Sequence, residues 1–127
     1  MKLAWINSRT LLLFGFCFYI QLAYGQLNEN VKNSNFKEFI SQIEGNEHSI
    51  ILDVRPQEEF DESGFSDAIH IPSKELLDQF ADTTDHQTPI LVYCNEGFRS
   101  VIVCNMLDDF GFINLVNLKP GILHRKK

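Results

Sequence analysis

Short apolar runs alternating with stretches of helical spacing constrain this chain more than any other feature. Ser49-Ile50-Ile51-Leu52-Asp53-Val54 is a nearly continuous apolar run of strand length. Such a run fits a strand of a parallel sheet covered on both faces, where no side can be polar. Ala68-Ile69-His70-Ile71, closed by Pro72, reads as a second strand, Ile90-Leu91-Val92-Tyr93 as a third, and Ile113-Asn114-Leu115-Val116-Asn117-Leu118 as a last one before Pro120-Gly121. Helices fall between them. Asn33 or Ser34 can cap one through Phe36, Phe39, Ile40 and Ile43, spaced i, i+3, i+4, i+7 and stopped by Gly45. Pro56 suits the first turn of a helix over Gln57 to Glu62, and Ser73 caps one over Lys74 to Phe80. Residues 100–110 form the last, ended by Gly111, while Gln26 to Lys32 and Ala81 to Thr88 read as loops. Strand and helix alternate throughout, so the class is α/β with a mainly parallel sheet.

The first 25 residues have a different character. Lys2 and Arg9 precede an apolar run from Leu11 to Ile20, and Ala23-Tyr24-Gly25 places small residues where a signal peptidase reads. This is the pattern of a secretory signal peptide, with Gln26 as the new N-terminus. An uncleaved anchor is the alternative, although the run is shorter than the roughly 20 residues of a membrane span. Residues 26–127 suffice for one domain with one core. Export would place that domain in a periplasm or outside the cell.

Lys2 and Arg9 are the leader's only charges, so the remaining chain keeps nine of 11 basic residues against all 17 acidic ones. That balance argues against nucleic acid and, after processing, against a membrane surface as partners. Of the three cysteines, Cys17 lies in the leader's apolar run. Cys94 ends a strand and Cys104 sits within the following helix. Their Cα atoms are expected to exceed the roughly 7 Å reach of a disulfide. Cys104 reads as a small core residue. No Cys-x-x-Cys occurs, which argues against a thiol-disulfide oxidoreductase. His48, His70, His86 and His124 lack metal-ligand spacing with one another or with the cysteines, so zinc is not expected; no cofactor is expected either.

The candidate site is the run Cys94-Asn95-Glu96-Gly97-Phe98-Arg99-Ser100. It lies where a buried strand turns into a helix. Backbone N–H groups converge in such a turn, and the helix dipole adds positive potential. A thiol held there ionises more readily than a free one, and the thiolate is the reactive form. Arg99 adds a fixed cation. A thiolate in an anion-binding loop points to a nucleophilic enzyme for an anionic or sulfur-containing substrate.

Four pieces in order make the chain resemble a single-domain rhodanese, a thiosulfate or persulfide sulfurtransferase. They are Leu52-Asp53-Val54-Arg55 with Glu59-Phe60; Ala68-Ile69-His70-Ile71-Pro72; Val92-Tyr93-Cys94 with Gly97 and Arg99-Ser100; and Gly111-Phe112 before Leu118. The resemblance spans about Phe36 to Leu123. It implies a five-stranded parallel sheet with helices on both faces. It also implies that Cys94 takes a sulfane sulfur from a small donor, becomes a persulfide, and passes the sulfur to a thiol, to cyanide or to a partner protein. Asn95, Glu96, Gly97, Phe98, Arg99 and Ser100 would then bind substrate: loop N–H groups hold the persulfide, Gly97 permits the tight backbone, Arg99 orients the anion and Ser100 bonds within the loop. Asp53 and Arg55 would be structural, with Arg55 paired to Glu58 or Glu59.

The chain departs from that pattern at several points. Asn95 and Glu96 stand where the family commonly has a basic residue, and Phe65 replaces a histidine. Pro120-Gly121 and His124 replace a Gly-Gly followed by a tryptophan, and the family's final helix is expected to be shortened or missing. Glu96 disfavours a dianion such as thiosulfate. Two other classes compete with the sulfurtransferase: a non-catalytic binding or sulfur-carrier module, and a cysteine phosphatase or arsenate reductase of related fold. The latter place five residues between Cys and Arg to wrap a tetrahedral oxyanion, whereas four intervene here.

Overall fold

The computed structural model describes residues 29–125. The expected leader, its cleavage point and the last two residues lie outside that range. Five strands form one sheet: β1 (Val31–Ser34), β2 (Ile50–Asp53), β3 (Ile69–His70), β4 (Ile90–Tyr93) and β5 (Leu115–Leu118). Their order is β1-β5-β4-β2-β3, and every pairing is parallel. The helices are α1 (Phe36–Gly45), α2 (Gln57–Glu62), α3 (Lys74–Thr83) and α4 (Phe98–Asp109), followed by a 3₁₀ turn at Ile122–His124.

Alternate residues of the central strands feed two separate cores, as the two-residue period of a strand requires. Leu52, Ile90, Val92 and Leu115 pack with Leu77 and Ala81 of α3 and with Cys104 and Leu107 of α4. Ile51, Leu91, Tyr93, Val116 and Leu118 pack with Phe39 of α1 and with Phe65. Helices therefore cover both faces, and the inner strands β2, β4 and β5 have no solvent-facing side, as their composition requires.

The edge strand β1 departs from the sequence reading, which takes Gln26 to Lys32 as loose and caps the first helix with Asn33 or Ser34. Residues 31–34 instead pair with β5, Val31 opposite Leu115 and Ser34 opposite Leu118. The cap is Asn35, whose side chain accepts from the Glu38 N–H at 2.9 Å while Glu38 accepts from the Asn35 N–H. This reciprocal pair satisfies two helix-end donors at once. Lys32 and Asn33 are exposed, so β1 lacks the apolar signature of the inner strands. Smaller shifts follow burial. Helix α3 runs on to Thr83 because Ala81 packs in the core. Helix α4 starts at Phe98, two residues before the expected position, and β5 starts at Leu115 because Ile113 is half exposed.

Candidate active site

Cys94 follows directly on β4, the central strand, and α4 begins four residues later. The turn between them is set by Gly97, whose φ of +83° is open to glycine at little cost. A Cβ at Gly97 would lie 1.8 Å from the Lys119 carbonyl oxygen, so the residue must be glycine for packing as well. Gly121, at φ +77°, plays the matching part on the facing segment: a Cβ there would lie 1.9 Å from the Asn95 carbonyl oxygen. The two segments are tied by backbone bonds, Ile122 N–H to Cys94 O at 2.9 Å and Leu123 N–H to Asn95 O at 3.2 Å. The altered C-terminus thus still closes one side of the loop.

Sulfur is the focus of the turn. The Gly97 N–H donates to Cys94 Sγ at 3.1 Å, the Ser100 N–H at 3.4 Å, and Ser100 Oγ lies 3.3 Å away. Burial pushes the thiol up. The Ser100 hydroxyl and the N–H groups of Ser100, Glu96 and Gly97 outweigh it and hold Cys94 below the ordinary thiol range. A cavity of about 330 Å³ opens beside the sulfur, lined by Cys94, Asn95, Glu96, Phe98, Arg99 and Leu123. Of the seven residues singled out by sequence, five line it, while Gly97 and Ser100 bond the sulfur from within the loop. Glu96 and Arg99 are both exposed, so a carboxylate and a guanidinium share the rim. Leu123, 64% exposed, adds an apolar wall that sequence reasoning missed. Asn117 was missed too. It lies under the loop, 1% exposed, and its Oδ1 accepts from the Ser100 hydroxyl at 2.6 Å. Its signal was present: a polar side chain amid Leu115, Val116 and Leu118.

Asp53 and Arg55 buttress the site from the neighbouring strand. The expected pairing of Arg55 with Glu58 or Glu59 is incorrect. Arg55 Nη2 meets Asp53 Oδ2 at 2.7 Å, and Nε contacts Asp53 Oδ1 and Oδ2 at 3.0 and 3.1 Å. Asp53 is fully buried at the end of β2 and needs a counter-charge, whereas Glu58 on α2 faces solvent. Tyr93 donates to Asp53 Oδ2 at 2.6 Å, and burial first, then that bond, push its hydroxyl up to about 12. Arg55 also donates to the Ser63 carbonyl and, at 3.4 Å, to Asn95 Oδ1, so the network ends against the cysteine loop. Cys104 is free, as is Cys94.

A nucleophile-type cysteine at the carboxyl end of the central strand of a five-stranded parallel sheet narrows the class, and comparison with known proteins places the chain within it. The rhodanese-like domain family matches residues 35–124, and the chain belongs to that family. Thiosulfate sulfurtransferase GlpE from Coxiella burnetii is 33% identical over 72 residues, which cover 57% of this chain and 66% of that one. The adenylyltransferase and sulfurtransferase UBA4 from Candida glabrata is 36% identical over 90 residues, 63% of this chain and 21% of its own length. The chain thus spans about a fifth of the Candida protein. Among solved structures, the rhodanese-like domain of the Alr3790 protein from Anabaena superposes with a TM-score of 0.63 at 25% identity, covering 72% of this chain and 70% of that one.

Proposed function

We propose that this protein is a sulfurtransferase that works through a persulfide on Cys94. The observation that carries the reading is the convergence of the Gly97 and Ser100 N–H groups on a buried sulfur that borders an open cavity. The Cys94 thiolate attacks the outer sulfur of a donor. The sulfur–sulfur bond of the donor breaks, and its electron pair leaves with sulfite (from thiosulfate) or with a thiolate (from a persulfide). An acceptor thiolate or cyanide then attacks the terminal sulfur of the Cys94 persulfide and regenerates the Cys94 thiolate. No net oxidant is needed. Asn95, Glu96, Phe98 and Arg99 meet the donor at the rim. Gly97 and Ser100 hold the sulfur in place throughout. The sulfurtransferase names of the relatives support this reading, and so does the short Cys94–Arg99 loop, too small for the phosphatase alternative.

Intact mass spectrometry after exposure to thiosulfate or glutathione persulfide tests it. One added sulfur on wild type, absent from Cys94→Ser, is the expected result. A donor-loaded protein without added mass would leave only a binding module. We further propose export after cleavage behind Gly25. N-terminal sequencing from an exporting host should then begin at Gln26, and a membrane-bound protein starting at Met1 would overturn it.

A further inference from the structure

The Ser100 hydroxyl has two neighbours and one hydrogen. Cys94 Sγ lies 3.3 Å from its oxygen and Asn117 Oδ1 lies 2.6 Å away. The orientation of the Asn117 amide follows from its other end. Nδ2 donates to Asn33 Oδ1 at 2.9 Å and to the Gly97 carbonyl at 3.4 Å, and a carbonyl can only accept. The oxygen therefore faces Ser100, and it too can only accept. While Ser100 donates to Asn117, the bond between Ser100 and Cys94 must run the other way, from S–H to Oγ. That arrangement suits the thiol and not the thiolate. Ionisation of Cys94 reverses the demand: the sulfur now needs donors, and the hydroxyl can turn to it only by leaving the Asn117 oxygen without one. Ser100 is 0% and Asn117 1% exposed, so water does not readily fill the gap.

We propose that Asn117 is a positioning residue for Cys94, acting as the competing acceptor that holds the Ser100 hydroxyl off the sulfur in the thiol and yields it to the thiolate. The inference rests on the reading of Cys94 as the nucleophile. Asn117 takes no proton itself. The thiol proton leaves through the cavity to solvent, and the hydroxyl only rotates. Asn117 also bonds the Gly97 carbonyl, so one amide grips the loop at the glycine that shapes it and at the serine that serves it. The charged and titratable groups around Cys94 are otherwise Glu96 and Arg99 at the cavity, Arg55 behind Asn95 with its partner Asp53, and the Cys104 thiol further along α4. None of these hydrogen-bonds to Asn117, so replacing it leaves their charges in place.

The test is the pH profile of iodoacetamide alkylation at Cys94, read by mass spectrometry on folded protein. In Asn117→Leu the hydroxyl is free to serve the sulfur at all times. The alkylation midpoint should fall and the rate at pH 7 should rise roughly threefold, a larger thiolate fraction being partly offset by lower intrinsic nucleophilicity. In a Ser100→Ala background the same substitution should change nothing, because the shared hydrogen is gone. An unmoved or raised midpoint in Asn117→Leu overturns the proposal. So does an equal shift with and without Ser100, which would mark a purely structural effect. Should Asn117→Leu fail to fold, Asn117→Ala removes the same acceptor with no new bulk to place under the loop. A shift in the same direction supports the proposal, and a wild-type profile overturns it. The alkylation midpoint reads acidity alone. A Cys94→Ser protein that still transferred sulfur would therefore defeat the proposed function without touching this result.

Discussion

Cys94 and Cys104 flank and occupy the same helix, pack in the same apolar cluster, and are 4% and 0% exposed. Their acidities nevertheless move in opposite directions. Burial, with a smaller effect of charge on Cys94, pushes Cys104 up to about 12. The same burial acts on Cys94 and is overcome by the N–H and O–H groups around it. Burial by itself makes a thiol inert; it is the ends of the elements, where backbone N–H groups lack partners, that can make a buried thiol reactive. Cys104 lies in the interior of α4, where the N–H groups are spent within the helix.

The widest gap between the two thiols should appear on replacing each by serine. Cys94→Ser should lower sulfur transfer from a sulfane donor to cyanide by at least about 10³-fold, since no group of comparable nucleophilicity lines the cavity among the described residues. Cys104→Ser should leave kcat/KM within about twofold and instead cost about 1–3 kcal/mol of stability, because it buries a hydroxyl among Leu52, Val92 and Leu107. Thiocyanate formation and urea unfolding measure the two effects. Equal loss of activity from both would mean that the comparison tracks packing and not chemistry.

Gly97 tests whether the loop makes the difference. Gly97→Ala puts a side chain at φ +83° and drives its Cβ into the Lys119 carbonyl. It should cost about 2–4 kcal/mol and lower turnover more than Cys104→Ser does at the same residual stability. Cys94 should then alkylate at higher pH, closer to Cys104. A variant with full activity and an unchanged alkylation profile would show that the Gly97 N–H does not support the thiolate.

Much of this was legible in the chain, for identifiable reasons. The inner strands β2, β4 and β5 are buried on both faces, so their composition alone marks them. The Cys94 loop is contiguous in sequence, so its members and their order could be read directly. What escaped was long-range or at an edge. Among the described residues β1 pairs only with β5, and it keeps polar side chains, so no run of apolar residues announces it. Arg55 pairs with Asp53, fully buried at the end of β2, and not with the solvent-facing Glu58, and that contrast in burial is a property of the assembled structure. Asn117 and Leu123 reach the site from 23 and 29 positions beyond Cys94, through the parallel pairing of β4 with β5.

Alkaline stability sharpens the comparison from the side of Cys104. In the unfolded chain its thiol and the Tyr93 hydroxyl ionise near their ordinary values, about 8.5 and 10. In the folded chain both stay protonated up to about 12. The folded state therefore holds more protons between those limits, and stability should fall as pH rises from about 9 towards 12. Cys94 runs the opposite way: its lowered folded value adds stability above the ordinary thiol range and loses it as pH falls through the folded value. Urea midpoints across pH 8–11 should thus fall less steeply in Cys104→Ala than in wild type, and more steeply in Cys94→Ala. Parallel curves for all three would mean that neither thiol differs in acidity between the folded and unfolded chain.

The smallest effect concerns the one loop charge that opposes the thiolate. Glu96 and Arg99 share the rim of the cavity, so the loop's fixed charge sums to nothing, and a thiosulfate dianion meets a carboxylate on its way to Cys94. Two such charges a few ångströms apart in a wet site repel by roughly 1 kcal/mol, and exposure of Glu96 to solvent keeps the figure low. A neutral or monoanionic persulfide feels less of it. Glu96→Lys reverses the sign and should raise kcat/KM for thiosulfate about fivefold or more at low salt, with a smaller gain for glutathione persulfide. The added cation should also lower the pH at which Cys94 alkylates, widening its distance from Cys104. Repeating the assay in 0.5 M salt should shrink the donor difference, because screening acts on exposed charges first. A donor ratio that neither the substitution nor the salt moves would mean that donor choice rests on the walls, Phe98 and Leu123, and not on the charge at the rim.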